Sequence, residues 1–181
     1  RAITSTKSYQ LTSRQSHATQ DAPQMFARMA VKGLSPEQLF DSLAITIGFF
    51  EPYNARNPLN LNNDTDRSRF VETFNNASDS PTEQQTTILQ ALSMMNGKVV
   101  TDATSLENSR TLSAIVDFPL MSTADRIETL YLAALTRKPT KVEAARLVKY
   151  VDGGGPRNVP KLALGDVFWA LLDCSEFLLN H

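Results

Sequence analysis

Cysteine and histidine are almost missing from this chain of 181 residues: Cys174 stands alone, and His17 and His181 are the two histidines. A single thiol excludes an internal disulfide and a cysteine-rich zinc site. The histidines lie at opposite ends of the sequence, with no third ligand at helical spacing from either, so no zinc motif is present. An excess of charge is also missing. Eighteen basic residues face nineteen acidic ones, for a net charge of −1, which speaks against a phosphate-backbone binder. No apolar run approaches the ~18 residues that a membrane-spanning helix requires, and the first residues do not form a signal peptide. The side-to-side alternation of a half-buried strand is absent as well. The chain opens at Arg1 in mid-pattern, as expected of a C-terminal fragment of a longer multidomain protein.

What is present is ordinary globular material. Hydrophobic residues make up 41% and charged residues 20%, a balance that supports a packed core. A chain of this length buries about 70% of its unfolded surface, so residues 1–181 are expected to form a single helical domain. The clearest element lies between Leu34 and Gly48. Ser35 and Gln38 have the spacing of a capping box, Pro36 suits the first helical position, and Gly48 suits a left-handed stop. Leu39, Phe40, Leu43, Ile47 and, less centrally, Ala44 then share one face.

Other segments repeat that logic. Residues 1–12 read as a short helix with Ile3, Tyr9 and Leu11 on one side, and 12–23 as a loop; 24–32 read as a short helix or an extended segment. Asn54 to Asp66 is an Asn-rich loop. A helix from about Asp66 to Asn75 places Phe70, Val71 and Phe74 together. Ser80-Pro81-Thr82-Glu83 opens another, which stops at Asn96-Gly97. Residues 98–116 read as two short helices broken near Asn108. Ser122 begins a helix carrying Ile127, Leu130 and Tyr131, and Thr140 with Glu143 caps one that ends at Gly153-Gly154-Gly155. Residues 160–172 and a last turn near Phe177 complete an all-α, irregular bundle of about six to eight helices with a long Asn-rich loop.

Three pieces carry a family resemblance. They are FARMAVKGLSPEQLFDSLA (26–44), ILQALSMMNG (88–97) with LYLAALTRKPTKVE (130–143), and DVFWALLDCSEFLLNH (166–181). In this order the chain resembles the C-terminal domain of unknown function of large planctomycete-type proteins, where it follows a cytochrome-c-like domain and a second uncharacterised domain. The resemblance implies an extracytoplasmic location, and the other domains of its own chain as partners, the cytochrome-c-like domain among them. It implies no covalent haem here, because the haem-attaching Cys-x-x-Cys-His is absent. Cys174 stands where the family more often has a small polar residue, and Lys32-Gly33 where many relatives carry two arginines.

Each candidate for chemistry has a plainer reading beside it. Glu37 and Asp41 are spaced i, i+4 and would bring two carboxylates together for acid–base work. The plainer reading puts Glu37 at the positive helix start and pairs Asp41 with Arg28 or Lys32. Asn62 to Asp66 begins like a calcium loop, but Arg67 stands where that loop wants Gly and no glutamate closes it. Asn63-Asp64-Thr65 and Asn76-Ala77-Ser78 match the glycosylation acceptor pattern. The three glycines follow a helix and lack the Lys-Ser/Thr of a phosphate loop, so they read as a helix stop. Trp169 reads as core, and Cys174 as a small buried residue. Arg14, His17 and Arg28 lie in or beside one polar segment and, with Asp41, form the candidate ligand-binding set, suited to an anion or a sugar.

No nucleophile–base set, metal spacing or cofactor loop emerges. The function read from the sequence is therefore a non-catalytic helical docking or binding module, without cofactor, metal or nucleic acid. The alternative is an enzyme or ligand-binding domain acting on carbohydrate.

Overall fold

The computed structural model describes residues 2, 5–7, 10–21, 27–29, 32–49, 65–75 and 98–180. The Asn-rich loop up to residue 64, the asparagines of both glycosylation patterns and the helix expected after Ser80 lie outside the described residues. The architecture is mostly helical, as the sequence leads one to expect. In order come α1 (Pro36–Ile47), α2 (Asp66–Asn75), α3 (Lys98–Ala103), α4 (Arg110–Asp117), α5 (Thr123–Leu135), α6 (Lys141–Asp152), α7 (Pro160–Leu172) and α8 (Ser175–Leu178). Single 3-10 turns occupy Ala18–Asp21 and Gly155–Arg157. Of residues 1–12, expected as a short helix, the described ones are not helical. Lys32–Gly33 (β1) is extended and pairs antiparallel with Leu179–Asn180 (β2). Two residues per strand are too few to show an alternating pattern.

Local chemistry sets the helix boundaries. The hydroxyls of Ser35, Ser122 and Thr140 each accept a bond from the backbone N–H three residues on. The side chains of Gln38, Asp125 and Glu143 reach back to the cap N–H, so two otherwise unpaired donors are satisfied at each start. Ser109 caps α4 through Leu112 N–H at 3.2 Å. α1 ends on Gly48, left-handed at φ 69°. Beyond α6 the chain reverses through Gly154 at φ +75°, where a Cβ would lie 2.4 Å from the carbonyl carbon of Asn158. Only glycine fits that turn, so the glycine run is a helix stop.

α7 is the centre of the packing. It touches α3, α4, α5, α6, α8 and the Gly155–Arg157 turn. Ala163, Leu164, Gly165, Val167, Phe168, Leu171 and Leu172 are buried around most of its circumference, the pattern of a helix enclosed on nearly all sides. Leu43 and Ile47 of α1, Leu112, Ile115 and Val116 of α4, Ile127 and Leu130 of α5 and Val151 of α6 join the same core. α1 packs on α2 and α4, where Phe40 meets Phe70 at a ring-centroid distance of 5.4 Å.

Candidate functional site

The four residues singled out from the sequence do not all come together. Arg28 ties down the polar segment before α1, its Nε donating to Gln20 O at 3.1 Å and its Nη1 to Ser13 O at 3.4 Å. Arg14, between those two carbonyls in sequence, lines a cleft of about 610 Å³ with Leu11, Thr12, Gln15, Ser16, Gln20 and Ala27. His17 is exposed, with Nδ1 2.9 Å from Thr19 Oγ1. Asp41 is not part of that cleft. It lies on α1 and accepts two bonds from Arg67 of α2, at 2.9 and 3.2 Å.

That pairing corrects the expectation of Arg28 or Lys32 as the partner of Asp41. α2 packs along α1 and lays Arg67 over the carboxylate, a tertiary contact that helical spacing does not encode. The bonds from Arg67 hold the Asp41 carboxyl below its ordinary range. Glu37 is also held below its range, by a backbone N–H and then by Ser35 Oγ at 2.9 Å. Both acids are thus kept ionised, and neither is tuned as a proton donor near neutrality.

A second charged cluster lies where the LTRKPTKVE segment turns from α5 into α6. Arg137 donates to Glu176 Oε1 and Oε2 at 2.6 and 2.8 Å, and to Glu143 Oε1 and Oε2 at 3.0 and 3.1 Å. Its guanidinium also stands 5.3 Å from the centroid of the Tyr131 ring. The hydrogen bonds from Arg137 push the Glu143 carboxyl down to about 2. One planar fork serving two carboxylates joins the start of α6 to α8, a task suited to Arg and not to Lys.

A further recess, of about 650 Å³, lies between α3 with the turn after it and α7 with the Gly155–Arg157 turn. Its walls meet closely because position 165 is glycine. A Cβ there would lie 3.0 Å from Thr104 O, so the turn can rest on the backbone of α7. Half-buried Trp169 lines the cleft together with Asp166, Arg157 and Glu107. Asp166 is fixed from two sides: Tyr150 OH donates to Oδ2 at 3.0 Å and Arg157 Nη2 to Oδ1 at 2.9 Å. Burial, then the bond to Asp166, pushes the Tyr150 phenol above its usual range.

Sequence reading missed this site. Trp169, expected in the core, does pack against it but also lines the cleft. Arg157 and Asp166 are nine residues apart across a reversal, a spacing that matches no helical period. Cys174, expected as a small buried residue, is half-buried, with Sγ donating to Leu171 O at 3.1 Å. Among the described residues, no group of three His, Cys, Asp or Glu is placed to hold a metal ion.

One buried group has no role in any of these clusters. Asp173, just after α7, has both carboxylate oxygens shut off from solvent and without a hydrogen-bond partner. Burial pushes its carboxyl up to about 6.

Fold and site together define an all-α domain of capped helices wrapped around one enclosed helix, with a polar cleft beside it. The family model described as "Protein of unknown function (DUF1553)", PSD1, matches residues 51–151. The match spans more than half of the sequence, and the chain belongs to that family. No curated protein and no solved structure matches this chain. Among the described residues, no helix is long and apolar enough to cross a membrane.

Proposed function

We infer that this chain is a non-catalytic helical docking module of an exported multidomain protein, packing against other domains of its own polypeptide, a cytochrome-c-like domain among them. The observation that carries this reading is an apolar end of the bundle. Phe118 and Leu120, in the turn joining α4 to α5, are 51% and 86% exposed, and Val159 at the start of α7 is 40% exposed. Lys161 reaches Asp117 at 3.1 Å and Thr123 reaches Asp152 at 2.7 Å, which brings the α4–α5 and α6–α7 connections to the same end. Arg126 Nη2 donates to Phe118 O at 3.1 Å, so the apolar turn is braced. Exposed apolar side chains at the same end of the bundle, two of them on a braced turn, suit a contact surface.

The charged groups fit this reading. Asp41 of α1 pairs with Arg67 of α2, and Arg137 joins Glu143 of α6 to Glu176 of α8, so these charges are engaged within the domain. The extracytoplasmic setting and the cytochrome-c-like neighbour rest on the sequence resemblance alone.

The test is hydrogen exchange on the full-length polypeptide, with and without Phe118→Ser and Leu120→Ser together. Both side chains are exposed, so the helical circular dichroism should stay unchanged. The amides of Phe118, Leu120 and Met121 should be protected in the parent protein and lose that protection in the variant, along with cross-links from this turn to the other domains. Equal and rapid exchange of these amides in both proteins would refute the docking role.

A further inference from the structure

We propose that the cleft between α3 and α7 is a binding site for a neutral saccharide, seated against Trp169. The proposal requires nothing of the docking reading. An indole offers a flat apolar face to the C–H side of a sugar ring, and Trp169 is the one tryptophan in the chain. Around it the cleft offers hydrogen-bonding groups of both kinds, as hydroxyls that donate and accept require.

The acceptors are Asp166 and Glu107. Asp166 is held in place by Tyr150 and Arg157, yet an ionised carboxylate takes about four bonds, so lone pairs remain for a ligand. The donors are Arg157, Thr101 and Ser105. Arg157 gives one N–H to Asp166, and a guanidinium has five. Ser105 Oγ accepts from Glu107 N–H at 3.1 Å, which leaves its hydroxyl hydrogen available. The elements behind these groups are firm, since Asn108 bonds Asp102 at 3.2 Å and Ser109 caps α4 behind the turn. Groups mounted on fixed helices and braced turns are already in place for a ligand.

Charge narrows the class. Arg157 offsets Asp166 at 2.9 Å, and Glu107 on the cleft wall leaves the site one negative charge. A sulfated or carboxylated sugar would meet that charge, whereas a neutral sugar would not. The cleft volume of about 650 Å³ falls within the usual range for small-molecule sites.

The test reads Trp169 as the difference in emission between the parent protein and a Trp169→Phe variant, so that tryptophans of the other domains drop out. The whole protein is titrated with neutral hexasaccharides of glucose, xylose, mannose and galactose, and with oligogalacturonate and a sulfated galactan oligosaccharide, while indole emission and its quenching by acrylamide are followed. At least one neutral hexasaccharide at or below 10 mM should shift the emission and shield it from acrylamide, with the acidic sugars inert. Arg157→Ala and Glu107→Ala are surface changes that keep the fold, and each should weaken the neutral sugar about tenfold. A flat response to every neutral hexasaccharide, a response to the acidic sugars alone, or full affinity in both variants would overturn the proposal.

Discussion

Asp173→Asn should make this protein more stable at neutral pH, by an amount that grows as pH rises through the weakly acidic range. Asp173 follows the last residue of α7, where the negative end of the helix dipole already disfavours an anion. Both its oxygens are buried without a partner, so no hydrogen bond offsets the loss of water. Its carboxyl stands at about 6 in the folded protein, against 3.8 for an unperturbed aspartate. That difference corresponds to about 3 kcal/mol of preference for the protonated form. The residue as a whole is only half-buried, and water near it reduces the figure to roughly 1.5 kcal/mol.

The sign follows from proton counting. Below pH 3.8 the carboxyl is protonated in both folded and unfolded chains and contributes no pH dependence. Between 3.8 and about 6 the folded protein holds a proton that the unfolded chain has released, so raising the pH favours unfolding. Above about 6 the full penalty is present. Urea unfolding of both proteins at half-unit steps from pH 3.5 to 8 reads this out. The advantage of the asparagine variant should grow by roughly 1.5 kcal/mol across the window and then level off, or by about 3–6 °C in melting temperature. The amide is itself an imperfect guest in the pocket, which adds an offset independent of pH. A gap that stays constant with pH, or that grows in the opposite direction, would show that the carboxylate is solvated and refute the reasoning.

Three further outcomes follow from the contacts. Glu143 is held down to about 2 by Arg137, so its contribution is complete above pH 4.5 and lost as pH falls toward 2; the stability gap between the parent and Glu143→Gln should shrink in that range in acid-unfolding curves. Arg137→Ala should cost about 1–2 kcal/mol, because it leaves two carboxylates facing each other without a cation, and Arg137→Lys should recover only part of that because an ammonium cannot span both. Chemical denaturation of the two variants checks it. Gly165→Ala should cost roughly 1–3 kcal/mol, since the new Cβ would lie 3.0 Å from the carbonyl oxygen of Thr104; thermal unfolding measures the loss, and an unchanged midpoint would mean that the turn yields freely.

Much of the helical frame was readable because its signals are local. A serine or threonine followed three residues later by a side chain that bonds back fixes a helix start within one turn, and Ser35, Ser122 and Thr140 all do this. The buried face of α1 was readable for the same reason, since Leu39, Phe40, Leu43 and Ile47 follow the helical period. What escaped depends on chain reversals. The partner of Asp41 comes from α2, the two carboxylates on Arg137 come from α6 and α8, and the cleft gathers residues from α3, the turn after it and α7. None of these juxtapositions has a spacing. Trp169 illustrates the limit most plainly, because one face of α7 serves both the core and the cleft wall.

The region that matches the family and the unit that folds are not the same. The match ends at Val151, within α6, before the helix at the centre of the packing. Leu112, Ile127, Leu130 and Val151, all inside the match, have almost no exposure, and they share one buried cluster with Leu164, Phe168 and Leu172 of α7. Without α7, the inward faces of α4, α5 and α6 would lose the apolar surface they bury against, at about 25 cal/mol for each Å² returned to water. In the other direction, α7 is apolar around most of its circumference and has no stable existence outside that ring of helices. The cleft repeats the dependence, with Thr101 and Glu107 inside the matched segment and Arg157, Asp166 and Trp169 beyond it. Both the core and the candidate site are therefore properties of a unit that reaches at least through α7.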